Sequence, residues 1–141
     1  MKYLSLDYGS KTVGVAVSDA TGSVVRELEI IRREKEKALR RTLARIEEII
    51  KTEGVEAIVI GLPINMDGTE GERAEKARAF GDMVARRTGL SVRFQDERLT
   101  TEEAYEIMDE NNIRSRKDRK AHADSMAAAV ILGDFLNSTD R

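Results

Sequence analysis

The order of apolar segments along the chain is the feature that most constrains its fold. Three strand-like segments come first, over residues 2–7, 12–18 and 24–31. The segments between them are four and five residues long and contain Gly, Ser, Asp and Thr, which favour turns. Because connections this short join antiparallel neighbours, the N-terminal part of the chain predicts three antiparallel strands.

After these strands, the chain alternates between helix-like and strand-like segments. Leu39, Leu43, Ile46 and Ile50 recur at helical spacing, and Gly54 supplies a stop signal. The predicted elements are a helix over about residues 35–52, a strand over 57–62, a helix over 72–87, a strand over 91–95, a helix over 101–110, a basic loop over 111–121 and a helix over about 123–137.

This order predicts an α/β fold with a mixed sheet flanked by helices and with the first strand near its centre. The segment over residues 57–62 is almost entirely apolar, as expected for a strand covered on both faces. The order is compatible with a ribonuclease H-like fold, and actin-like ATPase domains share it. Those ATPases need two such domains, whereas 141 residues predict a single domain over residues 1–141, so length favours the ribonuclease H-like fold.

Composition excludes several classes of protein. The chain has no Cys, so it offers no disulfide and no thiolate nucleophile or metal ligand. No apolar run approaches the roughly 18 residues needed to cross a bilayer, and no signal peptide is visible. We therefore expect a soluble cytoplasmic protein with no membrane partner. A net charge of -2 means that any polyanion would need a local basic surface.

Two groups of cations could provide such a surface. The first, around the predicted start of a helix, is Arg32, Arg33, Lys35, Lys37, Arg40 and Arg41. The second, just before Asp124, is Arg114, Arg116, Lys117, Arg119 and Lys120. A charge run is usually a solvated face, but cations beside a carboxylate site could hold a phosphate backbone that the carboxylates repel. Lys11 is a further candidate phosphate contact, and Arg98 could contact phosphate or pair with a carboxylate.

Three acidic residues, Asp7, Glu97 and Asp124, lie far apart in the sequence, yet each falls where a strand ends or a helix begins. Such positions could gather them into one cluster of carboxylates, which are the ligands preferred by Mg²⁺ and Mn²⁺. Simpler roles remain open, because Asp124 could cap the last helix and Asp96 could replace its neighbour Glu97. His122 could carry a proton or simply begin a helix.

Four motifs carry a resemblance to a known family. They are Leu6-Asp7-Tyr8-Gly9 with residues 14–19, residues 59–63 with 65–70, residues 96–104, and residues 124–128. In this order they resemble the bacterial YqgF family, also described as RuvX-like, over the whole chain. The resemblance implies a ribonuclease H-like, divalent-metal-dependent nuclease with acidic residues at Asp7, Glu97 and Asp124. It selects Glu97 over Asp96, and Asp7 is the expected bridging ligand because its strand should be central.

The expected activity is metal-dependent endonucleolytic hydrolysis of structured nucleic acid. The resemblance implies either the 5′ end of precursor 16S ribosomal RNA or a four-way DNA junction, and we expect the RNA. A junction resolvase would act as a symmetric dimer, so the choice between monomer and homodimer stays open. Two other classes remain: a non-catalytic RNA-binding factor in ribosome assembly, and a nucleotide-binding domain built on the turn over residues 7–11.

Overall fold

A computed structural model describes the backbone of residues 1–97 and 116–139 and the side chains of residues 1–97 and 126–138. The strands and helices are β1 Tyr3–Tyr8, β2 Thr12–Ser18, β3 Val25–Arg32, α1 Arg40–Glu53, β4 Ala57–Leu62, α2 Glu72–Thr88, β5 Ser91–Asp96 and α3 Arg116–Thr139. The predicted helix over residues 101–110 and the candidates Arg98 and Arg114 lie outside the described residues.

The five strands form one mixed sheet in the order β3-β2-β1-β4-β5. The pairs β1–β2 and β2–β3 are antiparallel, whereas β1–β4 and β4–β5 are parallel. This confirms the predicted mixed sheet, the antiparallel start and the central position of β1. Every residue of β4 is buried, as its apolar sequence predicts. Because β1, β4 and β5 are parallel, their carboxyl ends meet at one edge of the sheet.

The two faces of the sheet are covered by different helices. Leu4 and Leu6 of β1 pack in the core that contains Ile46 of α1 and Phe80 of α2. On the opposite face, Val59 of β4 packs against residues of α3, namely Ile131, Leu132 and Phe135. Side chains alternate along a strand, so Asp7 follows Tyr3 and Ser5 on the face covered by α3.

Two contacts fix how α3 crosses β1. The buried Ser5 Oγ donates a hydrogen bond to the Ala128 carbonyl oxygen at 2.6 Å. The rings of Tyr3 and Phe135 meet edge to face with centroids 5.2 Å apart. As β1 advances from Tyr3 to Ser5, the contacts on α3 move back from residue 135 to residue 128. The N-terminal half of α3 therefore lies towards the end of β1 that carries Asp7.

The predicted start of α1 is wrong by about five residues, because the helix begins at Arg40. The segment before it forms turns, in which Ala38 N donates to the Lys35 carbonyl oxygen and Arg33 Nε donates to the Glu36 carbonyl oxygen. These local bonds compete with helix formation, a feature that apolar spacing does not reveal. The predicted stop at Gly54 is confirmed by a left-handed conformation with φ of 69°.

The predicted start of α3 is also wrong. A basic loop was expected over residues 111–121, but Arg116, Lys117, Arg119 and Lys120 belong to the first turns of the helix. Asp124 is therefore inside α3, so the expectation that it could cap the helix is incorrect. The large apolar residues of α3 that pack on the sheet include Ile131, Leu132 and Phe135, and apolar spacing did not predict the highly charged turns before them. None of the helices in the described ranges is long and apolar enough to cross a membrane.

Candidate active site

The candidate site begins at the carboxyl ends of the parallel strands. Asp7 is the second-to-last residue of β1, and Glu97 follows the last residue of β5. Strand β4 separates these two strands in the sheet, so a contact between the carboxyl groups must cross β4. The backbone directly after β5 is hydrogen-bonded to the end of β4, because Glu97 N donates to the Leu62 carbonyl oxygen at 3.2 Å.

Gly61 of β4 makes the crossing possible. A Cβ atom at this position would lie 2.6 Å from Glu97 Oε2 and 2.5 Å from Ile131 Cδ1. Both distances are far below van der Waals contact, so the missing side chain is space that the Glu97 carboxyl group and α3 occupy. A glycine inside a strand commonly marks such a close approach.

The carboxyl groups of Asp7 and Glu97 are hydrogen-bonded to each other. The pKa of Glu97 is raised from 4.5 to about 9, first by burial and then by the negative charge of Asp7 and a hydrogen bond with Asp7. Arg73 opposes this rise, whereas the charge of Asp96 adds to it. At neutral pH, protonated Glu97 donates to the Asp7 carboxylate, because two adjacent buried carboxylates resist ionising together.

This pair has the chemistry of a divalent-cation site. A cation bound between the carboxyl groups would displace the shared proton and supply the positive charge that both groups require. Among the side chains of residues 1–97 and 126–138, no group of three potential ligands is assembled. The side chains of Asp124 and His122 lie outside that set, so the structure brings together two of the three predicted acidic residues.

The other predicted residues are placed as follows. Asp96 ends β5 with an exposed side chain, so of the two neighbouring acids Glu97 is the one directed towards Asp7. Lys11 is exposed in the turn between β1 and β2. The turn lies directly after the end of β1, which keeps Lys11 at the same edge of the sheet as Asp7.

Sequence reasoning missed two residues that shape this site. Gly61 had a signal, since it interrupts a strand that is otherwise apolar and rich in branched residues. Arg73, in the first turn of α2, influences Glu97 electrostatically but gave no signal, because its role depends on where α2 begins relative to β5.

Comparison with known proteins identifies the family. The family model described as "RuvX: Holliday junction resolvase" matches residues 1–138. The chain belongs to the RuvX family. It is therefore a nuclease, a hydrolase of phosphodiester bonds. Similar RuvX relatives include one from Agathobacter rectalis, 55% identical with 97% of this chain and 95% of the relative covered, and one from Lachnospira eligens, 47% identical with both chains covered completely. Both carry the name "Putative pre-16S rRNA nuclease".

Solved structures of Holliday junction resolvases share the fold of this RuvX chain. Thermus thermophilus RuvC in complex with a Holliday junction has a TM-score of 0.59 at 16% identity, with 98% of this chain and 94% of RuvC covered. The fowlpox virus Holliday junction resolvase has a TM-score of 0.55 at 15% identity, with 98% and 99% covered. These similarities confirm the ribonuclease H-like architecture.

Gly61→Ala provides a test of the crossing over β4. We expect the added methyl group to displace Glu97 and Ile131, to destabilise the fold by about 1–3 kcal/mol, and to lower the cleavage rate by roughly a hundredfold. Urea unfolding and single-turnover cleavage would measure the two effects.

Gly133→Ala is the matched control, because a Cβ there meets no atom within 4 Å. In the middle of α3 it should stabilise the protein by about 0.5–1 kcal/mol and leave cleavage unchanged. Equal behaviour of the two variants would contradict the assigned role of Gly61.

Proposed function

We propose that this RuvX-family chain is a divalent-metal-dependent endonuclease for structured RNA, with Asp7, Glu97 and Asp124 as its metal ligands. The observation that carries the proposal is the pair of carboxyl groups, Asp7 and Glu97, which share a proton at the edge where parallel strands end. Such a pair is costly to the fold, and a cation-dependent reaction is a physical reason to keep it.

The path of α3 supports Asp124 as the third ligand. The hydrogen bond from Ser5 to Ala128 ties β1 to α3 two residues before Asp7. Position 124 is one helical turn before Ala128, and Asp7 is two residues beyond Ser5 on the same face of the strand. Because α3 runs back along β1, both steps lead towards the same edge of the sheet.

Each proposed ligand has a distinct part in holding the cation. Asp7 would be the central ligand, because it lies on β1, the central strand of the sheet. Glu97 loses its proton when the cation binds, and Gly61 leaves the space that lets its carboxyl group reach Asp7. A bound Mg²⁺ or Mn²⁺ would activate water and neutralise developing charge on the phosphate and the leaving oxygen. The all-oxygen ligand set favours these hard ions.

The choice of RNA as the substrate rests on the relatives, whose names refer to precursor 16S ribosomal RNA. A four-way DNA junction is the second candidate, because the family description names Holliday junctions. The same proposal includes contacts between substrate phosphates and several cations. These are Lys11, Arg98, Arg114 and the cations of the first turns of α3, namely Arg116, Lys117, Arg119 and Lys120. An exposed cation near a phosphate backbone contributes affinity for either nucleic acid.

Incubating the purified chain with precursor 16S RNA, a four-way DNA junction and matched single strands in Mg²⁺ or Mn²⁺ tests the substrate. We expect cleavage of the RNA precursor by a monomer and little cleavage of the junction. Sedimentation with and without junction DNA reports the oligomeric state. Symmetric junction cleavage by a dimer, with the RNA left intact, would replace the first candidate by the second.

A further inference from the structure

A basic cavity of about 470 Å³ opens at the start of α1, away from the Asp7–Glu97 pair. Its lining includes Arg32, Arg33, Arg40 and Arg41, and Glu34 is the one carboxylate among its lining residues. We call this cavity, defined by the four arginines, the arginine cavity. It contains much of the first basic group predicted from the sequence.

The charges of the arginine cavity are poorly neutralised. Within the described part of the chain, none of Arg32, Arg40 and Arg41 forms an ion pair, whereas Arg45, one turn into the same helix, pairs with Glu29 at 2.6 Å. The first turn of α1 has no acidic residue, and no side chain caps it. The first turn of α2 carries Glu72 and Glu75.

This arrangement works against the stability of α1. A helix start carries partial positive charge, so adjacent arginines repel it and each other. The protein therefore keeps these cations at a cost to the helix, and α2 shows that the same fold accommodates the favourable arrangement. A negatively charged ligand in the cavity would offset the repulsion.

Arg33 lines the arginine cavity, and several contacts hold its guanidinium. Its Nη2 donates to the Gly9 carbonyl oxygen at 2.6 Å, its Nε donates to the Glu36 carbonyl oxygen at 3.0 Å, and its guanidinium lies 4.9 Å from the centre of the Tyr8 ring. Its Nη1 is buried and has no hydrogen-bond partner among the described residues. Two hydrogen bonds and the Tyr8 ring thus hold the guanidinium in place, and no carboxylate in the described part of the chain forms an ion pair with it.

The same bonds connect the arginine cavity to the candidate active site. Gly9 and Tyr8 directly follow Asp7, and Arg33 N donates to the Lys11 carbonyl oxygen at 2.8 Å. The end of β3, which carries Arg32, lies two strands from the end of β1. With neighbouring strands about 4.8 Å apart, the separation across the sheet is roughly 10 Å.

We propose that the arginine cavity binds backbone phosphates of the substrate strand a few nucleotides from the phosphate that is cut. This inference rests on the proposed nuclease function. A nucleic-acid strand carries one negative charge per roughly 3.4 Å of helix axis, so a separation of about 10 Å corresponds to a few phosphates. The exposed Arg32, Arg40 and Arg41 contact the phosphates, and the Arg33 guanidinium adds positive charge at a fixed position.

The test compares two double variants of the intact chain. Arg40→Gln with Arg41→Gln removes two cations from the cavity, and Lys51→Gln with Arg86→Gln removes two exposed cations from the far ends of α1 and α2. Affinity for precursor 16S RNA is measured in EDTA, where no cleavage occurs, at several salt concentrations. For the cavity variant we expect roughly tenfold weaker binding and a salt slope smaller by about 1.4–1.8, and for the control variant almost no change.

Cleavage and unfolding complete the test. The cavity variant should show a higher KM with kcat unchanged, and it should unfold at the same or a higher temperature than the unmodified chain, because cations have been removed from a helix start. Equal affinities and salt slopes for the two variants would overturn the proposal, even if the unmodified chain cleaves RNA. If the cavity variant binds weakly but the unmodified chain cleaves no nucleic acid, the arginine cavity remains a phosphate-binding surface, whereas the proposed function and the placement of the cavity relative to a cleaved phosphate both fail.

Discussion

Asp7→Asn is expected to lower the cleavage rate at saturating substrate by on the order of a thousandfold, with nucleic-acid affinity changed by no more than a few-fold. The amide has the size of the carboxylate but carries no charge, so it is a poor ligand for Mg²⁺. Single-turnover cleavage in Mg²⁺ and binding in EDTA measure the two quantities separately.

Asp82→Asn is the matched control for this experiment. Asp82 is an exposed residue of α2, and its change to Asn removes the same charge away from the site. We expect it to cleave like the unmodified chain. An Asp7→Asn variant that cleaves normally would reject the proposed site. If Asp7→Asn supports ribosome assembly in cells as well as the unmodified chain does, the result would favour a role as a non-catalytic RNA-binding factor.

The stability of the metal-free protein is expected to fall by several kcal/mol as the pH rises from 5 to 9. The pKa of Glu97 in the folded protein is about 9, above its ordinary value of 4.5, so folding takes up a proton between these values. The resulting stabilisation is complete below pH 4.5 and is lost as the pH rises through 9. Linkage sets its ceiling at about 6 kcal/mol. Urea unfolding in EDTA at several pH values measures it.

Two comparisons show whether Glu97 causes this pH dependence. Glu97→Gln carries no titrating carboxyl group, so its stability should vary much less over the same pH range. Mg²⁺ should stabilise the unmodified chain increasingly as the pH rises, since the cation competes with the shared proton. A stability that is equally steep in Glu97→Gln would assign the effect to another group.

Much of the fold was predictable because local patterns and tertiary packing agree. The bounds of β2 and β4 match the predicted ones, and the central place of β1 followed from the order of three antiparallel strands and then alternating helices and strands. The starts of α1 and α3 were not predictable from apolar spacing. Turns stabilised by Arg33 precede α1, and the first turns of α3 lie before the apolar segment that packs on the sheet.

The candidate site was predictable in its residue types but not in its geometry. Strand order placed Asp7 and Glu97 at one edge, but β4 lies between their strands, and only the glycine at position 61 lets the two carboxyl groups meet. The raised pKa of Glu97 depends on that contact and on burial, which are properties of packing. The position of Asp124 within α3 likewise depends on where the helix begins.

The parallel pairing of β1 with β4 joins segments that are more than fifty residues apart, as in the register of Leu4 with Ile58. On a ribosome, Asp7 is synthesised long before β4 and β5 emerge, so the earliest part of the nascent chain cannot pair Asp7 with Glu97. At about 5–20 residues per second, the delay lasts several seconds. The Asp7–Glu97 pair therefore forms only after β4 and β5 have emerged, and shorter nascent chains lack it.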